Sequence, residues 1–215
     1  MSGYRLELRA LCLHLNGARL IGPLDLAVGP GEVATVMGPS GAGKSSLLAH
    51  LCGMLPPAFS AGGQALVDGE DILALPPEKR RIGILFQDDL LFPHLSVGEN
   101  LAFGLPPTVR GRAARRNRID RALDEADLAG FADRDPATLS GGQRARAALM
   151  RTLLSEPRLL LLDEPFGKLD AALRARFRAF VFDHARRRGL PVLLVTHDPA
   201  DAESAAGSGK IITLG

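Results

Sequence analysis

One stretch, Gly38-Pro39-Ser40-Gly41-Ala42-Gly43-Lys44-Ser45, limits what this chain can fold into more than any other. It follows an apolar run from Glu32 to Met37 that reads as a buried strand, and it leads into a helical stretch from Lys44 to Leu51. Strand, glycine-rich loop and helix in this order satisfy G-x-x-x-x-G-K-[ST] in the context that gives the motif its meaning. The glycines let successive backbone N–H groups turn onto one anion, and the helix N-terminus adds a partial positive charge. Lys44 is expected to reach the β- and γ-phosphates, the Ser45 hydroxyl to ligate Mg²⁺, and Ser46 to complete the nucleotide-binding set. A glycine-rich turn with an incidental lysine is disfavoured, because strand, loop and helix are all in place. By itself the loop specifies a nucleoside triphosphate, a property that kinases, GTPases and many ATPases share.

The neighbouring segments place this loop in an α/β protein. Leu6 and Leu8 alternate with Arg5, Glu7 and Arg9, and Ala10 continues the pattern less cleanly. That segment reads as a half-exposed strand before a turn at Asn16-Gly17. Leu24 to Val28 reads as another strand, closed by Gly29-Pro30-Gly31. Ile82 to Phe86, Leu159 to Leu162 and Val192 to Val195 are unbroken apolar runs, the pattern of parallel strands covered on both faces. Between Ser96 and Leu154 the chain is mainly helical and rich in Ala, Leu and Arg. The expected organisation is an α/β core over 1–88 and 159–215, with an N-terminal antiparallel β subdomain, and an inserted helical subdomain over 89–158.

Composition narrows the function classes. The chain has 215 residues, 46% of them hydrophobic and 23% charged, enough to bury an apolar core without disulfides. Cys12 and Cys52 lie far apart in no metal-binding spacing and read as reduced thiols. Charges interrupt Met1-Ser2-Gly3-Tyr4-Arg5-Leu6-Glu7 too early for a signal peptide. No window approaches ~18 unbroken apolar residues, so no membrane span is expected. A net charge of +2 is no argument for nucleic acid.

Further motifs give the triphosphate a use. Leu159-Leu160-Leu161-Leu162-Asp163-Glu164 is a buried strand ending on two carboxylates. Delivered beside the phosphate loop, Asp163 can hold Mg²⁺ through water and Glu164 can polarise an attacking water. Leu139-Ser140-Gly141-Gly142-Gln143 opens a helix. Together with the loop and Leu161-Leu162-Asp163-Glu164-Pro165, it resembles the signature of the ABC ATPases. The resemblance covers essentially the whole chain, in the family's order. Gln87, in Leu85-Phe86-Gln87-Asp88-Asp89, is similar to that family's Q-loop. Asp170, in Lys168-Leu169-Asp170, is similar to its D-loop, and His197, in Val195-Thr196-His197-Asp198, to its switch histidine.

The resemblance implies a P-loop NTPase core of RecA-like type that binds ATP and Mg²⁺, and a head-to-tail homodimer. Each ATP would lie between Gly38 to Ser45 of one copy and Ser140, Gly141, Gly142 and Gln143 of the other. Glu164 would then be the general base or water-orienting carboxylate, and His197 would stabilise the γ-phosphate and its transition state. Gln87 would sense Mg²⁺ and couple to a membrane partner, and Asp170 would link the two sites. His14, His50, His94 and His184 lack such context and read as packing or surface residues.

The chain departs from the family pattern at two places. ABC ATPases usually stack the adenine on an aromatic residue of an early loop. Here the corresponding stretch is Leu13-His14-Leu15-Asn16-Gly17, so either His14 or Leu15 covers the base or stacking is weaker. Preference for ATP over GTP is open on this reading. Gly167-Lys168 stands where small residues are commoner, and Lys168 is expected to be solvated rather than to touch a partner. The sequence ends at Leu214-Gly215, so the C-terminal regulatory domain of some importer ATPases is not expected.

Three machines could use such an engine. The stretch from Arg80 to Leu101, above all Phe92-Pro93-His94-Leu95-Ser96-Val97, resembles importer ATPases for thiamine, iron, sulfate, molybdate and polyamines. That resemblance implies permease subunits as partners, a solute-binding protein indirectly, and a peripheral place on the cytoplasmic face of the plasma or inner membrane. An exporter or lipoprotein-release ATPase usually reads differently after the Q-loop. Soluble ABC ATPases acting on DNA or ribosomes generally carry tandem cassettes or a coiled-coil insertion, which this sequence lacks. Arg110, Arg112, Arg115, Arg116, Arg118 and Arg121 could bind phosphate, but Asp120, Asp124, Glu125 and Asp127 balance them and no aromatics interleave. No nucleic-acid partner is expected. The transported solute is not encoded in this chain.

Overall fold

The computed structural model describes residues 3–206 and 210–214, so the ends of the expected core, residues 1–2, 207–209 and 215, lie outside the described residues. Strand β1 (Leu6–Leu15) buries Leu6, Leu8, Leu11 and Leu13. The burial phase slips between Leu8 and Leu11, where the pairing register shifts and Ala10 takes φ 46°. This is a β-bulge, and it explains why Ala10 fits the alternation poorly. Its N–H is satisfied by the Asp25 carboxylate at 2.8 Å. A side chain on the facing Gly63 (φ 88°) would come within 2.5 Å of the Ala10 carbonyl.

β1 pairs antiparallel with β2 (Ala18–Val28) and β4 (Phe59–Val67), and β5 (Glu70–Asp71) completes a sheet of order β2-β1-β4-β5. β2 begins earlier than the sequence suggested. Gly22 and Pro23 lie inside it, which an edge strand tolerates because one side of its ladder is unpaired.

The other sheet holds five strands: β6 (Ile82–Leu85), β7 (Leu159–Asp163), β8 (Val192–Val195), β3 (Val33–Met37) and β9 (Ile211–Thr213), in that order. β7, β8, β3 and β9 pair in parallel. Leu159 to Leu162 and Val192 to Val195 are fully buried, as unbroken apolar runs predict. β6 differs: at the sheet edge it buries Gly83 and Leu85, while Ile82 and Ile84 are only half-buried. Helix α1 (Lys44–Cys52) contributes Leu47, Leu48 and Leu51 to a core shared with Leu6, Leu11 and Leu13 of one sheet and Val36, Leu161 and Val195 of the other.

The chain divides into two compact units. One comprises residues 1–84, 158–164 and 182–215, and the other residues 85–157 and 165–181. The second contains α2 (Val97–Gly104), α3 (Arg112–Glu125), α4 (Gly141–Leu154) and most of α5 (Ala171–Arg187), whose last residues, like α6 (Pro199–Ala206), belong to the first. A side chain on Gly104 would stand 2.1 Å from the Arg151 carbonyl, so α2 meets α4 backbone to backbone. The basic face of α3 is partly paired: Arg116 with Asp120 at 3.0 Å and Arg118 with Glu156 at 2.6 Å. Among the described residues no helix is long and apolar enough to cross a membrane.

In the first unit a buried guanidinium anchors α1. Arg80 donates to the carbonyls of His50 (2.9 Å) and Leu51 (2.7 Å) in the last turn of α1, and to Leu75 at 2.9 Å. The guanidinium thus adds donors at the helix end, where carbonyls run short of internal partners; the His50 carbonyl also accepts the Gly53 N–H at 3.0 Å. Replacing Arg80 by Met is expected to cost about 2–4 kcal/mol of stability in urea titration, since buried carbonyls lose charged donors. Beside it, burial pushes the Cys52 thiol up to about 11 from an ordinary 9.0, and the Arg80 charge only partly offsets this. The folded state therefore holds that proton longer than the unfolded chain, and stability falls as pH rises from about 9 towards 11. Cys52→Ala is expected to remove this slope, worth roughly 2 kcal/mol at the alkaline end, read as melting temperature against pH.

Candidate active site

β3 delivers the loop that follows it to the end of the parallel sheet. Gly41 and Gly43 take φ 86° and 87°, a region unfavourable for side-chain-bearing residues. Gly43 also has Leu20 so close that a Cβ would stand 2.8 Å from its methyl carbon. Lys44, only 7% exposed, donates from Nζ to the carbonyls of Gly38 (2.8 Å) and Pro39 (3.0 Å), drawing the loop around its ammonium group. α1 starts with no side-chain cap and no acidic residue in its first turn. Its leading N–H groups are thus available to an outside acceptor, and an anion is the favoured one. Ser40, Gly41, Gly43, Lys44, Ser45 and Ser46 all line one pocket with Glu164.

The parallel register then assembles the carboxylates. Asp163 at the end of β7 lies opposite Val195 at the end of β8, and the Glu164 N–H donates to the Val195 carbonyl at 3.0 Å. Glu164 has φ 49°, a left-handed conformation that costs a non-glycine residue about 1 kcal/mol or more. The turn brings its Oε2 to 3.0 Å from Nδ1 of His197, which follows β8. Thr196, buried between them in sequence, donates its N–H to the Val36 carbonyl at 3.2 Å and accepts the Asp198 N–H at 3.1 Å, so the loop carrying His197 is held in place. Asp163 accepts the Ser45 hydroxyl at 3.1 Å. Burial raises its carboxyl above the usual range, the Ser45 hydrogen bond opposes this, Glu164 adds to it, and Lys44 opposes it. A carboxylate that resists ionisation beside a hydroxyl is a hard-oxygen pair that a small cation would stabilise. Among the described residues no trio of His, Cys, Asp or Glu forms a cation cage. A pair of oxygen donors suits Mg²⁺ shared with phosphates.

The remaining sequence-predicted residues belong to the second unit, except that Asp163, Glu164 and His197 stay with the loop. Ser140 caps α4: its hydroxyl accepts the Gln143 N–H at 3.3 Å, and Gln143 Oε1 accepts the Ser140 N–H at 2.9 Å. This reciprocal capping box aims an exposed Ser140 and the start of α4 outward. Asp170 is exposed and accepts the Leu173 N–H at 2.9 Å at the start of α5. Gln87 is exposed, on a pocket of about 290 Å³ shared with Asp89, Gly141 and Arg144. Lys168, expected to be solvated, keeps more than half its side-chain exposure while pairing at the surface with Asp88, itself more than half exposed.

Sequence reading overlooked the ties behind these residues. Arg144 Nε donates to Asp89 Oδ2 at 2.9 Å and its Nη1 to the Leu139 carbonyl at 2.7 Å, while Arg151 Nη1 donates to the Leu90 carbonyl at 2.8 Å. Their only prior signal was the seven-residue spacing on one helix, which puts both on one face. The two signature glycines also differ. A Cβ on Gly142 would meet Leu173 at 2.6 Å, whereas around Gly141 the nearest atom is Arg144 Nη2 at 4.0 Å. Gly142→Ala is therefore expected to lower the melting temperature by a few degrees, roughly 1 kcal/mol. Gly141→Ala should leave it unchanged or raise it, because alanine favours the helix.

Comparison with known proteins identifies the family. The ABC transporter family model matches residues 21–167. The chain is 50% identical over 194 residues to the uncharacterized ABC transporter ATP-binding protein YnjD of Escherichia coli, covering 88% of this chain and 89% of that protein. It is 47% identical over 182 residues to the thiamine import ATP-binding protein ThiQ of Cereibacter sphaeroides, covering 85% and 78% respectively. It is 40% identical over 209 residues to the Fe(3+) ions import ATP-binding protein FbpC 1 of Haemophilus influenzae, covering 97% of this chain but only 62% of the relative. With a phosphate loop, a strand-end Asp-Glu pair and a capped Ser-Gly-Gly-Gln helix at the positions matched, the chain belongs to the ABC transporter family as an ATP-binding subunit, an ATPase that drives transport.

Proposed function

We propose that this ATPase powers import of a small nutrient through separate permease subunits, working as a head-to-tail homodimer on the cytoplasmic face of the membrane. The thiamine and iron import relatives support the direction of transport. On this reading residues 1–88 and 159–215 form the ATP-binding core and 89–158 the helical signature subdomain. A solute of the thiamine or metal-ion class, selected by the permease and a solute-binding protein, is the expected cargo. An exporter engine is the second reading, and the import relatives weigh against it.

The observation that carries the mechanism is the Glu164–His197 contact at 3.0 Å beside the loop. Glu164 is placed to take a proton from, or orient, the water that attacks the γ-phosphate. His197, with Nδ1 3.0 Å from that carboxylate, would orient it and leave Nε2 for the phosphate. Lys44 and the first-turn N–H groups of α1 would hold the β- and γ-phosphates. Ser45 and Asp163 would hold Mg²⁺, joined by Gln87. When bound, such a cation would supply charge neutralisation for the phosphates. In the dimer, Ser140, Gly141, Gly142 and Gln143 of the second copy would close on the γ-phosphate. The open space at Gly141, with no fold requirement of its own, supports close approach from outside. Asp170, exposed beside α5, would join the two sites.

Coupling has a physical path inside the second unit. The segment from Asp89 to Leu90 is held to α4 by Arg144 and Arg151, and the buried Asn100 laces the turn after it through Phe92 N (2.8 Å) and the Phe92, Leu95 and Ser96 carbonyls. A displacement of Gln87 to Leu101 by a permease would therefore carry the signature end of α4 with it.

Glu164→Gln is expected to cut steady-state ATP hydrolysis by at least about 100-fold while the protein accumulates as an ATP-dependent dimer in size-exclusion chromatography. Near-normal turnover in that variant would remove Glu164 from the chemistry. Purified from gently solubilised membranes of its host, the same variant should bring down a multi-span permease. Ribosomal proteins or nucleic acid in place of a membrane protein would overturn the transport role while leaving the ATPase intact.

A further inference from the structure

An open pocket of about 340 Å³ adjoins the phosphate loop, a volume within the range of small-molecule sites, about 300–1,000 Å³. Its wall is polar at Lys44, Ser45 and Glu164 and apolar at Leu15, Leu20 and Phe59. The apolar group is built by the antiparallel sheet. Leu15 and Phe59 are register partners at the end of the β1–β4 ladder, and antiparallel partners bring their side chains together on one face. Leu20 packs directly on the loop at Gly43. The main chain beneath the ring is fixed: the Phe59 N–H donates to the Pro56 carbonyl at 3.0 Å, and Asn16 N–H to the Ala58 carbonyl at 3.1 Å. Phe59 is half-buried, and among the described residues no other aromatic ring packs on it. An aromatic face left without a ring partner beside a triphosphate cradle is matched to a purine, whose flat faces are apolar and whose edges are polar.

We propose that Phe59 is the platform on which the nucleotide base stacks, with Leu15 and Leu20 completing the slot, in place of the aromatic residue that Leu13 to Gly17 lacks. Of the two residues left open by sequence, Leu15 lines this pocket and His14 does not. Phe59 was invisible beforehand because it lies far from the early loop in sequence and joins it only through the β1–β4 pairing. This inference rests on ATP binding at the Gly38–Ser45 loop. Because every base offers a π-face, the platform binds adenine and guanine alike.

Calorimetric titration of the full chain with MgATP, MgGTP and inorganic tripolyphosphate separates the two layers. Phe59→Ala should weaken both nucleotides by about ten-fold or more and change tripolyphosphate by less than about two-fold. Phe59→Tyr should retain nucleotide affinity, and Leu15→Tyr added to Phe59→Ala should restore most of it. Unchanged ATP affinity in Phe59→Ala would overturn the assignment, as would parallel loss of ATP and tripolyphosphate, which would mean that Phe59 only shapes the loop. A wild-type chain that binds tripolyphosphate as tightly as ATP would leave the cradle standing without a base platform. A wild-type chain that binds neither would overturn the ATP site and this inference together.

Discussion

The parallel pairing of β3, β8 and β7 is the constraint on which the candidate active site depends. Val36 and Asp163 are both register partners of Val195. All three strands therefore end at one level, and whatever follows each strand is delivered to the same edge. The phosphate loop follows β3, Glu164 follows β7 and His197 follows β8. Open α/β sheets generally bind ligands at the carboxyl ends of their strands for this reason. The register is enforced by burial, since Leu159 to Leu162 and Val192 to Val195 have no exposed face to tolerate a slip.

Around that edge the molecule gathers a buried lysine, a half-buried carboxylate and a left-handed glutamate. Lys44 is buried on two carbonyls, Asp163 is a carboxylate whose burial opposes its ionisation, and Glu164 sits in a left-handed conformation. Lys44 is held by the loop carbonyls it binds, Asp163 by its bond from Ser45, and Glu164 by its N–H bond to the Val195 carbonyl. The second unit shows the complementary logic. The start of α4 is satisfied internally by the Ser140–Gln143 capping box, which fixes its backbone. Arg144 and Arg151 then make α4 and the segment after Gln87 a single mechanical piece.

Much of the fold was legible in advance because the relevant signals are local. Unbroken apolar runs marked β3, β7 and β8, the Asn16-Gly17 turn marked the hairpin, and the glycine-lysine-serine loop marked the start of α1. Signals failed where tertiary context overrode them. β2 hid behind Gly22 and Pro23, which an edge position excuses. β4 went unread because its exposed half, rich in small and polar residues, carries no periodicity, and only pairing with β1 makes it a strand. β6 looked like a central strand and lies at an edge.

What the sequence alone determined is a set of local geometries: a glycine-rich loop between strand and helix, a carboxylate pair at a strand end, and a serine-capped helix start, each a short motif set by a few backbone dihedrals and one capping interaction. What only the tertiary structure decided is which distant residues share those sites. His197 meets Glu164, Arg80 closes the end of α1, Arg144 reaches Asp89 and Phe59 joins the phosphate loop across separations of many residues. Sheet register and buried hydrogen bonding set those meetings, and neither is encoded in any single stretch of chain.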